Sequence, residues 1–227
     1  ICRLLVGCDG ALSIVRRSSG IKDPKTYYGI MSLLKTPKIP VRVYLNKYFS
    51  PDFFAWSLTG EYGLMSSMRP LEYLEYFRQR LDFPKGNIIA YPMSIGMTKS
   101  YSDNVLLIGE SCGQNKPLTG GGIIFSLVSA NLAATTIKKA FKEEYFKADL
   151  LKSYEMAWKW NFGFEVSAQI FARNIYRSLT NEKIEDIFKK LSGEVEKIND
   201  FDYDKLSSIL LRMSKVKLFS ILSTVVK

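Results

Sequence analysis

The stretch Val105-Leu-Leu-Ile-Gly-Glu-Ser-Cys-Gly-Gln-Asn-Lys-Pro-Leu-Thr-Gly-Gly-Gly122 decides the fold. Its first four residues, Val105 to Ile108, form a short apolar run of the kind found in buried strands. Gly109 ends that run. Gly120, Gly121 and Gly122 precede a segment whose periodicity predicts a helix from about Ile123 to Phe141. Glycines let a backbone approach a flat or phosphate-bearing ligand closely. The N-terminus of the following helix adds free N–H groups and partial positive charge, suited to an anion or to a ring that becomes anionic. A P-loop is excluded, because it needs Gly-Lys beginning five residues after its first glycine, and Gln114 stands there. By itself the segment supports cofactor contact, with a glycine-rich connector as the plain rival.

Working upstream, residues 3–8 predict a second buried strand that ends on Asp9-Gly10, followed by a short helix over roughly 11–18. Residues 27–34 and 41–48 are rich in Tyr, Val, Ile and Leu and predict strands separated by Pro37 and Pro40. Residues 53–59 and 62–68 predict a hairpin around Gly60-Glu61. Pro70 opens a predicted helix over 70–82, with Leu71, Leu74, Phe77 and Leu81 at helical spacing. Residues 88–97 read as extended. Beyond Leu150 the periodicity is helical, with breaks near Thr180-Asn181 and Asn199-Asp200. This order predicts an α/β layer interrupted by an antiparallel sheet and followed by helices. One strand–helix unit cannot make a nucleotide-binding sheet alone, so the missing strands are expected upstream of Ile1, and the start is read as a truncation.

Composition removes whole classes of chemistry. The 227 residues contain no histidine, which excludes Ser-His-Asp and Cys-His catalysis and imidazole metal sites. Cys2, Cys8 and Cys112 lack CxxC spacing and are read as thiols in a reducing cytosol, with no metal site. No apolar run reaches the ~18 residues of a membrane-spanning helix. The net charge is +10, but its lysines and arginines are spread without the clustering of a nucleic-acid site. The densest group is Lys138, Lys139, Lys142, Lys147, Lys189 and Lys190. Solvated helix faces are the plainer account of these. Attraction to an anionic lipid surface, ~1 kcal/mol per well-placed cation, is the sharper one.

Taken in order, these segments resemble the FAD-dependent geranylgeranyl reductases. Gly109-Glu110-Ser111-Cys112-Gly113 through Pro117-Leu118-Thr119-Gly120-Gly121-Gly122-Ile123 resembles that family's GDAAGxxxPxTGGGI. Gly7-Cys8-Asp9-Gly10-Ala11-Leu12-Ser13-Ile14-Val15-Arg16 resembles its GADGxxSxVR, and Phe54-Ala55-Trp56-Ser57-Leu58 its YxWxFP. Tyr101 to Val105, Trp160 to Glu165 and Asp202 to Lys205 extend the likeness along nearly the whole chain. Three departures stand out. Glu110 replaces an Asp, Leu58-Thr59 replaces Phe-Pro, and no GxGxxG segment for the ADP half of FAD is present.

The resemblance implies a partial FAD-binding domain, Rossmann-like and of the glutathione-reductase type, over 1–25 and 98–145. It implies an inserted antiparallel-sheet substrate domain over 26–97 and a C-terminal helical region over 146–227. It implies saturation of C=C bonds in isoprenoid lipid chains by a cytoplasmic flavoprotein, in contact with the membrane surface if the sharper reading of its lysines holds. Asp9, Gly10, Arg16, Gly109, Glu110, Pro117, Gly120, Gly121, Gly122 and Ile123 are then the expected FAD contacts. Phe54 and Trp56 are the expected substrate contacts, within a wall that also draws on Phe53, Tyr44, Tyr48 and Met65. Lys116 is a candidate neighbour of the flavin, or an ordinary loop lysine. No residue is singled out as proton donor, and the electron donor is left open. Two other readings stay open: a flavin monooxygenase of the same fold, and a non-catalytic lipid-binding remnant.

Overall fold

The structure, a computed structural model, describes residues 2–35, 39–195, 202–208 and 223. The chain divides into two compact units, residues 1–26 with 92–170 and residues 27–91 with 171–227. The break expected near Asn199-Asp200, and Pro37, lie outside the described residues.

In the first unit, β1 (Leu5–Gly7) runs parallel to β8 (Val105–Leu107), with Leu5 opposite Val105 and Gly7 opposite Leu107. The two-residue β7 (Tyr101–Ser102) pairs antiparallel on the other side of β8. Helix α1 (Ile14–Ser18) follows β1, and α3 (Ile123–Lys142) follows β8. Gly7 is required where α1 crosses β1: a Cβ there would stand 2.7 Å from the Leu107 side chain and 2.9 Å from Val15. β1 is shorter and more open than expected for residues 3–8. It pairs only with β8 among the described residues, which leaves Leu5 exposed. Helix α4 (Ala148–Trp158), a single π-turn (Lys159–Gly163) and α5 (Phe164–Ser178) form one continuous rod. Leu151, Tyr154, Trp158, Phe162 and Val166 from this rod join Phe125, Ala133 and Ala140 of α3 in the core. Phe125 and Phe162 stack at 4.4 Å, and the Trp158 indole N–H donates to Ser100 Oγ at 2.9 Å.

The second unit is built on a five-stranded sheet in the order β3-β4-β5-β2-β6, with β2 at Lys25–Leu33, β3 at Arg42–Tyr44, β4 at Ala55–Leu58, β5 at Glu61–Ser66 and β6 at Asn87–Ile95. The β4–β5 hairpin turns on Thr59-Gly60, where Gly60 has φ 88°, and Glu61 is already paired with Leu58. β3 stops at Tyr44, short of the predicted residue 48. Asn46 makes the difference, since its side chain accepts the Tyr48 N–H and its carbonyl accepts those of Phe49 and Ser50. Helix α2 (Pro70–Arg80) starts at its proline as expected and buries Leu74 and Phe77 against Ile30, Ala55, Tyr62 and Leu64. Helix α6 (Asn181–Val195) begins at the predicted break. Among the described residues no helix is long and apolar enough to cross a membrane.

Candidate functional site

Because β1 and β8 are parallel, their carboxyl ends open on the same edge, the usual place for a ligand in such sheets. The Asp9-Gly10 turn leaves one strand there, and the Gly109–Gly122 loop leaves the other. Ser111 joins them: its Oγ lies 2.8 Å from both the Gly7 and the Ile108 carbonyl oxygens. Arg16, 1% exposed, donates to the carbonyls of Ser111 (2.7 Å) and Ala11 (2.9 Å) and pairs with Asp23 at 2.6 Å. This residue was expected among the cofactor contacts; the fold uses its guanidinium to tie the two turns together. Asp9 has a similar position. Burial opposes its charge, but the Ser13 hydroxyl and the N–H groups of Val15 and Ile14 outweigh that and hold its carboxyl below the ordinary range. Asp9 therefore orders the turn that displays Gly10. Gly10 has φ 75°, and a Cβ there would meet nothing within 4 Å, so the turn faces open space.

The longer loop is braced from beneath. Gln114, fully buried, accepts the Gly109 N–H at 2.7 Å and donates to Tyr154 Oη at 2.9 Å. Gly113 has φ 77°, and a Cβ there would lie 1.9 Å from the Gly96 carbonyl. Two backbone bonds, Lys116 N–H to Gly121 O (2.7 Å) and Gly120 N–H to Lys116 O (2.8 Å), fold the glycine cluster into a compact loop. The side chain of Lys116 lies along it, 2.7 Å from where a Gly121 Cβ would be. Pro117 is buried, and Ile123 is 78% exposed. Glu110 is half-buried; burial raises its carboxyl, with the Asn115 side chain pulling the other way. Gln114, Asn115 and Tyr154 were not singled out from sequence, since their value lies in contacts made across the unit.

The loop fits a flat, polar-edged cofactor. No side chain caps α3 at Gly122, so the positive end of a 20-residue helix is left open beside the glycines. Asn115 donates to the Ser94 carbonyl, but its buried Oδ1 has no hydrogen-bond partner among the described residues. Gly109 and Gly120 hold left-handed conformations, with φ 74° and 83°. Such features are what a backbone cradle needs and what a plain connector does not.

The second unit contains Phe54 and Trp56, the residues expected to face a lipid chain. Phe54 and Trp56 are both half-buried, with ring centroids 6.1 Å apart, and Phe54 stacks on Phe53 at 4.6 Å. The register aligns Val43, Trp56, Gly63 and Met31 across four strands, on the face opposite α2. The Trp56 indole lies over Gly63, where a Cβ would stand 2.5 Å from the ring, and Glu61 accepts its N–H at 3.1 Å. Tyr91 lies over Gly29 in the same way, 2.7 Å from the position of a Cβ. The rest of the expected wall is differently placed. Tyr44 turns to the α2 side against Phe49 and Phe77, Phe53 and Met65 are buried, and Tyr48 is exposed. Alternation along β3 puts Tyr44 and Val43 on opposite faces, which sequence composition does not distinguish.

This architecture is an α/β Rossmann-like fold of the FAD-dependent oxidoreductases. A geranylgeranyl bacteriochlorophyll reductase-like protein from Thermoplasma acidophilum superposes with a TM-score of 0.79 at 16% identity, over 99% of this chain and 62% of that one. A tryptophan C-6 flavin-dependent halogenase of taromycin biosynthesis gives 0.55 at 16% identity, over 99% and 49%. No family model matches the chain. Curated relatives do. Digeranylgeranylglycerophospholipid reductase 2 of Methanothermobacter thermautotrophicus is 25% identical, covering 94% of this chain and 59% of its own length. The digeranylgeranylglycerophospholipid reductase of Methanocaldococcus jannaschii is 23% identical over 87% and 56%. The chain is thus similar along most of its length to digeranylgeranylglycerophospholipid reductases. It spans less than two thirds of the length of these relatives.

Proposed function

We propose that this chain is the flavin-facing and lipid-binding part of an FAD-dependent reductase that saturates C=C bonds in the geranylgeranyl chains of membrane lipids. The observation that carries this reading is the loop from Gly109 to Ile123: left-handed glycines, an uncapped helix N-terminus and a buried amide oxygen without a partner, in one short stretch. The names of the relatives supply the substrate class.

Gly10, Gly109, Glu110, Pro117, Gly120, Gly121, Gly122 and Ile123 are assigned to hold the cofactor. Asp9 and Arg16 act one step back by shaping the two turns. Bound FAD supplies the reducing equivalents. An isolated alkene has no carbonyl to polarise, so the protein contributes positioning and exclusion of water. The positive end of α3 favours a ring that gains negative charge. Phe54, Trp56 and Met31 offer apolar, adaptable surface to an isoprenoid chain. Residues 1–25 with 98–145 are read as the cofactor layer and 26–97 as the substrate layer.

The test uses the protein in its full natural length, anaerobically, with chemically reduced FAD and a digeranylgeranyl lipid. Mass spectrometry is expected to show two hydrogens added per double bond. In a parallel reaction with oxygen admitted, hydroxylation of the lipid, with no saturation in the anaerobic reaction, would replace this reading with the monooxygenase one. A protein that retains no flavin and alters no lipid would leave only a lipid-binding remnant.

A further inference from the structure

Arg173 lies near the end of α5 and is 3% exposed, where an aliphatic side chain would fill the space without desolvating a charge. Its guanidinium carbon stands 4.2 Å from the centroid of the Tyr27 ring and 4.3 Å from that of Phe53. Burial pushes the group below the ordinary arginine range; Tyr27 and Asp52 pull the other way, and Arg177 adds to the fall. A planar cation over aromatic faces orients the rings as well as filling space, because each face is the negative side of a quadrupole. An aliphatic contact has no such direction.

The rings held in this way frame the apolar face that carries Trp56. Tyr27 shares a face of β2 with Gly29 and Met31. Phe53 is held by its backbone and by its ring. Its N–H donates to Ser50 Oγ at 3.2 Å, its carbonyl accepts the Tyr176 hydroxyl at 2.7 Å, and its ring lies under Arg173. Arg173 and Tyr176 are helical neighbours, so one side of α5 supplies both contacts. Phe54 stacks on Phe53 at 4.6 Å with 27° between the planes, and meets Trp56 edge-on at 6.1 Å. Phe53 is 2% exposed, whereas Phe54 and Trp56 are half-buried and can meet a ligand.

We propose that Arg173 is a positioning residue for the isoprenoid chain: by stacking on Phe53 it sets where Phe54 and Trp56 meet the lipid. This role rests on reading that face as the lipid site. To test it, the full-length protein with oxidised flavin is titrated with geranylgeraniol, dispersed in a non-ionic detergent, by isothermal titration calorimetry. Native protein is compared with R173M, which keeps an apolar stem without charge, and with R173K, which keeps the charge without the planar group. Both variants are expected to bind about tenfold more weakly while retaining their flavin. In turnover, KM for the digeranylgeranyl lipid is expected to rise by a larger factor than kcat falls. Y176F, which loses one hydroxyl, is expected to weaken binding as well, and it decides alone should the Arg173 variants not fold. Native affinity in these variants would overturn the role, as would full rescue by R173K. So would a parallel loss of flavin, kcat and affinity, the mark of a merely structural residue. A native protein that binds no geranylgeraniol would remove the lipid reading itself, and this role with it.

Discussion

Arg16 and Ser111, 95 positions apart in sequence, are joined by a 2.7 Å hydrogen bond from the guanidinium to the main-chain carbonyl. The bond holds the turn after β1 to the loop after β8. A lysine would offer a single ammonium where a planar fork now reaches Ser111, Ala11 and Asp23. R16K is expected to lose on the order of 2–4 kcal/mol in urea unfolding. D23N should cost much less, because Asp23 is half exposed. Equal losses in the two variants would place the weight on the ion pair and not on the carbonyls.

Two glycines with the same sign of φ separate conformational strain from collision. Gly20 has φ 67° and open space around its missing Cβ, whereas Gly113 has φ 77° and the Gly96 carbonyl 1.9 Å away. G20A is expected to cost about 1 kcal/mol, from backbone strain alone. G113A is expected to cost about 3 kcal/mol or more, since two backbone segments must separate. Chemical denaturation of both variants measures the difference.

Gly63 makes room for the Trp56 indole, and the Ile30 carbonyl lies 2.7 Å from the position of its Cβ on the other side. In G63A the ring has to move off the sheet. The expected outcome is a lower unfolding midpoint and a Trp56 that acrylamide quenches more readily, best read in a W160F background. Unchanged quenching would mean that the indole is not seated on Gly63.

Lys47 gives a pH signature. Burial pushes its ammonium down to about 8 from the ordinary 10.5, only partly offset by Asp52, with Arg177 and Arg173 lowering it further. The unfolded chain therefore binds more protons than the folded one between these two values, and stability should rise with pH across that window. In K47M this contribution disappears. Urea midpoints from pH 7 to pH 10.5 are expected to converge from a native deficit at the low end; parallel curves would show that Lys47 titrates normally. The deficit competes with real contacts, since Nζ donates to the Tyr176 and Pro51 carbonyls at 2.6 and 3.0 Å.

Much of the fold was legible in sequence because it depends on local rules. Pro70 started α2, Gly60 turned the β4–β5 hairpin, and the apolar run from Val105 fed the glycine loop and α3. Proline and glycine act through their own dihedral angles, and hydrophobic period needs no partner to be read. The left-handed glycines of the Gly109–Gly122 loop were legible for the same reason: glycine is the residue that takes such dihedral angles freely.

Other features were decided only in three dimensions. Arg16 reads as a candidate ligand contact until burial shows it spanning two turns, and Tyr44 joins the aromatic wall only until strand alternation turns it to the other face. Gln114, Asn115 and the glycine beds beneath Trp56 and Tyr91 draw their meaning from atoms distant in sequence. The sequence by itself determined where chain direction changes and where backbone may come close to a ligand. The tertiary structure decided which side chains are consumed in holding that backbone and which are left facing outward, because hydrogen bonding and burial depend on neighbours that only folding brings together.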